Sequence, residues 1–491
     1  MNAIKKLLNY IRETNELEHM INILDWEIKV VAPPLANYDM LKEKNKLEER
    51  VFKRKISKKF GFLLEEALAS CEYELLEDAE KRYIKHAYKS RNKLLLVPPK
   101  IYIKRNKLIS ESVKKWEEAK KANDYEIFKP YLKELVDSTK EYYSFIARDK
   151  NIYDTMLEEY EEGFDTKKID KLFKEIKMEL LPILKKYNNK KSTGYLEKQK
   201  YSDEVLISVA KYLLDYVGFD LNRGTVGIYE HGFTSKIGSN DVRIAFNKTD
   251  DAATFVTTVI HEAGHGIFEQ SIKSNLSQYE SSSLDRFYGL HESQSRFFEN
   301  ILGRNKNFWI PIYDKIKDSL NFDISLDEFI NILNRVKPGA IRTDADELSY
   351  CFHIIIRYEI EKGLFSGKLS VDDIPKVWNE KMQEYLGVKI FEDQDGLLQD
   401  IHWAEGSFGY FPSYLLGTIY DGLLLEAVTK EIGPIDRILK ESRIKEITYF
   451  LKDNIYQYGG AYNSNDVINR ICNRDIDVMP IIEYYKSKFN A

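Results

Sequence analysis

The sequence has little of the two residues that interrupt helices, and little cysteine. Its 491 residues include 24 glycines, 12 prolines and 3 cysteines. No Pro/Gly/Ser-rich linker divides the chain, so we expect residues 1–491 to form one continuous domain. The cysteines, Cys71, Cys351 and Cys472, are odd in number and form no CxxC pair. This pattern favours free, mostly buried thiols in a reducing compartment.

Long apolar runs and a strong charge excess are also missing. We find no stretch of about 18 apolar residues, so no membrane span is expected. Charged residues interrupt the N-terminal segment MNAIKKLLNYIRETNELEHM, which therefore does not resemble a signal peptide. The formal net charge of −5 gives no reason to expect a nucleic-acid partner. The Lys-rich run at about 186–200 is more typical of a solvated helix end. We expect a cytoplasmic protein.

What the sequence does contain is helical periodicity. Ile4, Leu7, Leu8 and Ile11 form one apolar stripe, and a second begins at Ile169 with Phe173, Ile176 and Leu180. The stretch 224–246 differs, because it combines several glycines with short alternating apolar runs and a turn at 239–241. The expected fold class is therefore mostly α, with one small β-sheet.

The segment TTVIHEAGHGIFEQ at 257–270 carries the strongest chemical signal. Asp250 and Asp251 precede it and predict a capped helix. His261 and His265 then lie one turn apart on one face, where both imidazoles can converge on one ion. Glu262 lies about 100° round the helix, where it can act as a general base on a water activated by the metal. The alternative is a buried helix face that binds no metal.

A third ligand must come from elsewhere, because position 271 is a serine and not a third histidine. The helical stretch GLHESQSRFFENILGR at 289–304 offers Glu292 and Glu299, two turns apart on a similar face. His291 is a further candidate. Spacing alone does not choose among the three, and each could be an ordinary surface or packing residue.

Several separated blocks together resemble the metallocarboxypeptidases of the carboxypeptidase Taq family. HEAGH at 261–265 matches the HExxH motif of that family, and HESQSRFFEN at 291–300 resembles its second metal block. The other blocks, in chain order, are INILDWEIKVVAPP (21–34), IRTDAD (341–346, family pattern IRxxAD), GLLQDIHW (396–403, GxxQDxHW) and GSFGYFPSYLLG (406–417). They appear in the expected order, which makes the match far more specific than HExxH alone.

The resemblance implies a helical peptidase similar in fold to angiotensin-converting enzyme and neurolysin. Such a body has a long substrate groove, here with the N-terminal helices at about 1–60 as a lid. The implied reaction removes single residues from peptide C-termini. Zinc is the implied metal, with cobalt as a substitute, and family members form homodimers. By position, His261, His265 and Glu292 are the ligands and Glu262 is the base, so the resemblance selects Glu292 over Glu299.

The resemblance also suggests the groups that stabilise the transition state and bind substrate. Tyr410 is the expected oxyanion donor, with Tyr414 as its rival. Arg342 is the candidate for the terminal carboxylate, because a guanidinium binds carboxylates in two places. An ion pair with Asp344 or Asp346 is the structural alternative for Arg342.

Three further residues each have a functional and a structural interpretation. Asp346 and Asp400 could orient the histidine ligands as hydrogen-bond acceptors, or could instead hold helices together. His402 resembles a substrate-contacting histidine. Its alternative is a packing role beside Trp403.

Two blocks depart from the family pattern. His231-Gly232-Phe233 replaces His-Pro-Phe, and Ala245 replaces the threonine of DxRxT in Asp241–Ala245. His231 and Arg243 are the expected substrate-binding residues of these blocks, which shape the closed end of the groove. The segment 271–289 also lacks the expected Gly/Pro-rich character.

Two alternatives to the carboxypeptidase stay open, and the departures bear on the first of them. One is an oligopeptidase that cleaves internally on the same scaffold. The other is a peptide-binding protein that has lost catalysis. The preferred C-terminal residue and the physiological metal are not decided by the sequence, since the same ligands accept several metals.

Overall fold

A computed structural model of the chain describes residues 2–188, 196–279 and 287–489. The Lys-rich run at 186–200 and the segment 271–289 therefore lie partly outside the described residues. Of the three free thiols, Cys351 is buried and Cys472 is half-buried, whereas Cys71 is exposed. The expectation of mostly buried thiols thus fails for Cys71.

The first half of the chain is built from long helices. Their bounds are α1 (Ala3–Trp26), α2 (Asn37–Lys55), α3 (Lys58–Leu68), α4 (Cys71–Glu74), α5 (Asp78–Leu94), α6 (Pro99–Ala122), α7 (Tyr125–Ala147), α8 (Ile152–Tyr160), α9 (Thr166–Asn188) and α10 (Asp203–Val217). A π-helical turn at Glu27–Val31 and a 3₁₀ turn at Pro34–Ala36 join α1 to α2. The predicted stripes face the core in α1 and α9, where only Leu8 is partly exposed.

A three-stranded sheet follows α10, as the sequence predicts. Its strands are β1 (Gly224–Tyr229), β2 (Phe233–Gly238) and β3 (Asp241–Asn247). The strand order is β1-β3-β2, with β1 parallel and β2 antiparallel to β3. The predicted turn joins β2 to β3, and Asp241 is the first residue of β3.

The second half of the chain returns to helices. Their bounds are α11 (Ala252–Ser271), α12 (Ser274–Ser277), α13 (Tyr288–Arg296), α14 (Lys306–Trp309), α15 (Tyr313–Ser319), α16 (Leu326–Leu333), α17 (Tyr350–Ser366), α18 (Ile374–Lys381), α19 (Phe411–Glu431), α20 (Ile435–Lys440), α21 (Ile444–Asn454), α22 (Ser464–Cys472) and α23 (Met479–Lys488). Further π-helical turns lie at Phe297–Leu302 and Met382–Leu386. Short 3₁₀ turns lie at Arg342–Asp344, Val371–Asp373 and Tyr456–Ala461.

One cluster of buried apolar side chains extends from Ile4 in α1 to Phe489 after α23. Helices α11, α13 and α19 pass through this core and are buried over most of their length. The fold is thus mostly α, with 70% of the structure helical, and the sheet packs against α11. None of the described helices is long and apolar enough to cross a membrane.

Candidate metal centre

Helix α11, which contains the predicted histidine ligands, is capped at its N-terminus and packs closely against α13 near its middle. Asp251 caps it by accepting hydrogen bonds from the backbone N of Ala253 (2.9 Å) and Thr254 (3.4 Å). A Cβ atom at Gly264 would lie only 2.5 Å from the carbonyl oxygen of Gln294. The glycine of HEAGH therefore allows the close approach that brings the histidines of α11 to Glu292 of α13.

Three ligand atoms converge at this crossing. His261, His265 and Glu292 each offer one ligand atom, and these atoms all lie within 4.8 Å of one another. The Nε2 atom of His265 lies 3.5 Å from Oε2 of Glu292. Two imidazoles and one carboxylate form the donor set of a catalytic zinc site that keeps a position for water. The residues present therefore fit a divalent ion of the zinc type.

Glu299, the rejected candidate for the third ligand, contacts His261 instead. Its Oε2 atom lies 2.9 Å from Nδ1 of His261, which leaves Nε2 of that ring for an ion. Although burial opposes ionisation, the hydrogen bond to His261 and the positive charges nearby lower the pKa of Glu299 to about 2. Arg304 donates to its other oxygen at 3.1 Å. Glu299 is thus a fixed anion that orients a ligand ring.

The electrostatics of the two histidines differ. Burial lowers the pKa of His261, but the hydrogen bond to Glu299 and the nearby carboxylates outweigh it and raise this pKa to about 9. Burial lowers the pKa of His265 to about 4, helped by the neighbouring His291. The pKa of Glu292 is lowered, since its contacts with the two histidines outweigh burial.

His291, the third candidate, lies beside the ligands. Its ring stacks on that of His265, with centroids 4.5 Å apart and planes inclined by 18°. Its Nε2 atom lies 3.1 Å from Oε1 of Glu269, whose other oxygen pairs with Lys236 of β2 at 3.2 Å. His291 therefore buttresses the His265 ring.

The predicted base, Glu262, is 5% exposed and is contacted by the small sheet. The hydroxyl of Thr234 in β2 donates to its Oε2 atom at 2.7 Å. A Cβ atom at Gly232 would lie 2.9 Å from its Oε1 atom. Burial raises the pKa of Glu262, which suits a group that must accept a proton. The departure at Gly232 thus lies directly against Glu262.

The two tyrosine candidates lie next to each other at the start of α19. The ring centroids of Tyr410 and Tyr414 are 5.0 Å apart. The hydroxyl of Tyr414 lies 3.1 Å from Nε2 of His402. Burial raises the pKa of Tyr410, and the charge of Glu292 raises it further, so this phenol stays protonated and lies near the ligands. Burial and the neighbouring arginines lower the pKa of His402 to about 3.

Arg342 is held in a buried cluster with a partner that the sequence did not suggest. Its Nε and Nη2 atoms donate to Oδ1 of Asp400 at 3.0 and 2.8 Å. Arg357 of α17, which is fully buried, donates to Oδ2 of the same carboxylate at 2.6 Å. Two guanidinium groups share one carboxylate, so this group of three carries an excess of one positive charge. Arg342 therefore pairs with Asp400 and not with Asp344 or Asp346, the two partners that the sequence suggested.

Asp346 and Asp400 contact groups other than the histidines, as in the structural alternative that the sequence left open for both. Both oxygens of Asp400 are taken by the two arginines. Asp346 accepts hydrogen bonds from the backbone N of Lys337 (2.9 Å), Leu348 (3.1 Å) and Ser349 (2.9 Å), and so fixes the loop before α17.

The residues of the altered blocks lie on and beside the sheet. His231 is exposed in the bend between β1 and β2. Arg243 of β3 forms a bidentate pair with Asp241, with distances of 2.9 and 2.8 Å, and its guanidinium lies 5.7 Å from the ring of Trp26 in α1. These contacts place Arg243 between the sheet and the N-terminal helix.

Sequence reasoning missed Arg357 and Thr234. Arg357 had a signal, because it follows the apolar run Ile354–Ile356 in a helix that is mostly buried, and a buried charge needs a partner. Thr234 had none, since a threonine in a short strand is an ordinary residue there.

Comparisons with known proteins identify the family of this chain. The sequence model described as carboxypeptidase Taq (M32) metallopeptidase matches residues 6–489. The chain is 33% identical to carboxypeptidase 1 of Bacillus subtilis (strain 168), over 99% of this chain and 98% of that protein. It is 30% identical to thermostable carboxypeptidase 1 of Pyrococcus furiosus, with the same coverage.

Solved structures give the same result. The chain superimposes on the carboxypeptidase of Pyrococcus furiosus with a TM-score of 0.92 at 28% identity, covering 100% of this chain and 99% of that one. Metallocarboxypeptidase 1 of Trypanosoma cruzi gives a TM-score of 0.93 at 26% identity with the same coverage. The fold and the His–His–Glu cluster are those of a metal-dependent peptide hydrolase. This chain belongs to the carboxypeptidase Taq (M32) family of metallopeptidases, and it is a carboxypeptidase.

Proposed function

We propose that this protein is a zinc-dependent carboxypeptidase that releases single amino acids from the free C-termini of peptides. The observation that carries the proposal is the convergence of His261, His265 and Glu292. Glu262 directly follows His261 in the same helix. From the family resemblance we further propose a cytoplasmic homodimer of one-domain chains, with Co²⁺ as a substitute for Zn²⁺ and the helices at about 1–60 as a lid.

His261, His265 and Glu292 would hold the ion. A zinc ion bound there supplies Lewis acidity, which makes a water molecule more acidic and polarises the scissile carbonyl. The chain's own contribution is the orientation of its ligands. Glu299 holds the His261 ring through Nδ1, and His291 stacks on the His265 ring.

Glu262 moves the proton in this proposal. Its carboxylate accepts a proton from the attacking water and delivers it to the leaving amine. Burial supports both steps, because it raises the pKa of the carboxyl and lets the protonated form persist until the amine departs.

Tyr410 is the proposed donor to the oxyanion that forms on the scissile carbonyl. Its raised pKa keeps the hydroxyl protonated, and the charge of Glu292 acts on it. Tyr414, whose hydroxyl contacts His402, is the rival candidate, and the family resemblance favours Tyr410. His402 is neutral at pH 7, so it can contact substrate without adding charge.

The excess positive charge of Arg342, Arg357 and Asp400 supports recognition of a free C-terminus. A buried cation without an anion is costly, and a terminal carboxylate would compensate it. The excess positive charge favours the exopeptidase over internal cleavage, since an internal peptide bond offers no compensating negative charge. Arg243 and His231 are proposed to contact substrate at the sheet side.

The test uses an N-blocked dipeptide and protein stripped of metal with a chelator. We expect no hydrolysis without metal, and recovery on addition of about one equivalent of Zn²⁺. The variants Glu292→Gln and Glu262→Gln separate the two roles. The first should lose zinc and activity together, whereas the second should keep zinc and lose activity. A Glu262→Gln variant that retains full activity would contradict the proposed base.

A further inference from the structure

The strand β2 lies along the metal helix and contacts it at two acidic positions. Thr234 and Lys236 are two residues apart, so both side chains leave the same face of the strand. Glu262 and Glu269 are seven residues apart, which is two helical turns, so both lie on one face of α11. The two faces contact each other at both positions. Oγ1 of Thr234 lies 2.7 Å from Oε2 of Glu262, and Nζ of Lys236 lies 3.2 Å from Oε2 of Glu269.

The Thr234 hydroxyl has two possible acceptors, both on Glu262. Its Oγ1 atom lies 2.7 Å from Oε2 of the carboxylate and 3.3 Å from the backbone carbonyl oxygen. A hydroxyl carries one proton, and the shorter contact to a charged acceptor is the stronger one. Thr234 therefore donates to Oε2, and this leaves Oε1 as the oxygen available to water.

Gly232 borders that second oxygen. A Cβ atom at this position would lie 2.9 Å from Oε1 of Glu262 and 2.9 Å from Cγ2 of Thr258. The glycine therefore leaves room beside Oε1 that any side chain would fill. One carboxylate oxygen is held by a hydroxyl, and the other borders a residue that has no side chain.

We propose that Thr234 is a positioning residue for the general base: its hydroxyl holds Oε2 of Glu262 so that Oε1 faces the attacking water. This inference rests on the proposed function, because it assigns Thr234 to the same reaction. Thr234 does not touch the substrate or the ion in this account. It acts by fixing the direction in which Glu262 accepts the proton, and a mispositioned base slows the proton transfer without weakening substrate binding.

The experiment compares Thr234→Val and Thr234→Ser with the wild-type zinc-loaded enzyme. Valine keeps the shape and removes the hydroxyl, whereas serine keeps the hydroxyl. We expect Thr234→Val to lower kcat by about 10- to 100-fold, the size of one lost hydrogen bond to a charged group, with KM unchanged within about twofold. Thr234→Ser should recover most of kcat. Thr225→Val, in strand β1 of the same sheet, is the matched control and should leave kcat unchanged.

Zinc affinity and melting temperature of each variant separate positioning from damage to the fold. Both should stay near wild type, because no metal ligand contacts Thr234. Thr234→Ala provides a second variant without the hydroxyl if the valine variant does not fold. The inference is overturned if Thr234→Val keeps wild-type kcat, if serine and valine are equally impaired, or if zinc affinity falls with kcat. A wild-type enzyme that cleaves no peptide would instead overturn the proposed function, and this inference with it.

Discussion

The Nδ1 atom of His261 lies 2.9 Å from Oε2 of Glu299, and Glu299 follows Glu292 by two helical turns. The same stretch of chain therefore supplies both a proposed metal ligand, Glu292, and the anion that contacts a second proposed ligand, His261. After Glu292 the helix changes to a π-helical turn at Phe297–Leu302, and Glu299 lies within this turn. Such turns are frequent at functional sites.

The first prediction concerns this contact. Glu299→Ala keeps all three ligands but frees the His261 ring, so we expect zinc affinity to fall about 10- to 100-fold. A competition titration against a chromophoric chelator measures the effect. Glu380→Gln, a change at an exposed helical glutamate, is the control and should leave affinity unchanged. Wild-type zinc affinity in Glu299→Ala would show that the ring is fixed by other contacts.

The second prediction separates the two tyrosines. Tyr410→Phe removes the proposed oxyanion donor, so kcat should fall about 100- to 1000-fold with little change in KM. Tyr414→Phe removes the contact with His402 and should lower kcat by about 10-fold or less. Steady-state kinetics on one peptide suffice. The opposite order of the two variants would transfer the donor role to Tyr414.

The third prediction addresses the terminal carboxylate. Arg342→Lys keeps a positive charge but loses the planar fork that Asp400 holds, so KM for peptides with a free C-terminus should rise about 10- to 100-fold. Arg437→Lys, at a largely exposed arginine, is the matched control. An unchanged KM in Arg342→Lys would mean that the excess charge of the cluster does not serve substrate binding.

The fourth prediction is a pH dependence of stability that arises from Glu361. This buried carboxyl accepts hydrogen bonds from Tyr153 Oη, Trp403 Nε1 and Gly409 N, each at 2.8 Å, and so holds the loop before Tyr410. Burial nevertheless raises its pKa from 4.5 to about 7. The folded state thus binds this proton more tightly than the unfolded chain. The stabilisation is fully present below about pH 4.5 and is lost as the pH rises from there through about 7.

The measurement compares melting temperatures of wild type and Glu361→Gln between pH 5 and pH 8. The glutamine variant lacks the titration, so wild type should lose stability relative to it as pH rises. Between pH 5 and pH 8 the free energy of unfolding of wild type should fall by roughly 3 kcal/mol relative to that of the variant. A constant difference across this range would contradict the raised pKa.

The sequence predicted those parts of the molecule that depend on local pattern. The cap at Asp251, the apolar stripes of α1 and α9, and the sheet before α11 all follow from residue type and spacing. The convergence of His261 and His265 follows from helical periodicity alone.

Long-range pairing could not be read in the same way. Glu292 and Glu299 lie on similar faces of one stretch, and only the packing of α11 against α13 at Gly264 assigns their partners. Asp400 could not be matched to Arg342 and Arg357 because their pairing joins separate segments. The single-domain organisation, the lid and the homodimer stay predictions.

Cleavage from a free C-terminus is tested with an unblocked decapeptide and its C-terminally amidated twin. Both are incubated with the zinc-loaded wild-type protein and with Glu262→Gln, and products are followed by mass spectrometry. We predict a ladder of single-residue losses from the free C-terminus, absent for the amide and absent for the variant. Internal fragments from both peptides would contradict the account and indicate an oligopeptidase. No cleavage of either peptide by protein that holds zinc would indicate a peptide-binding protein.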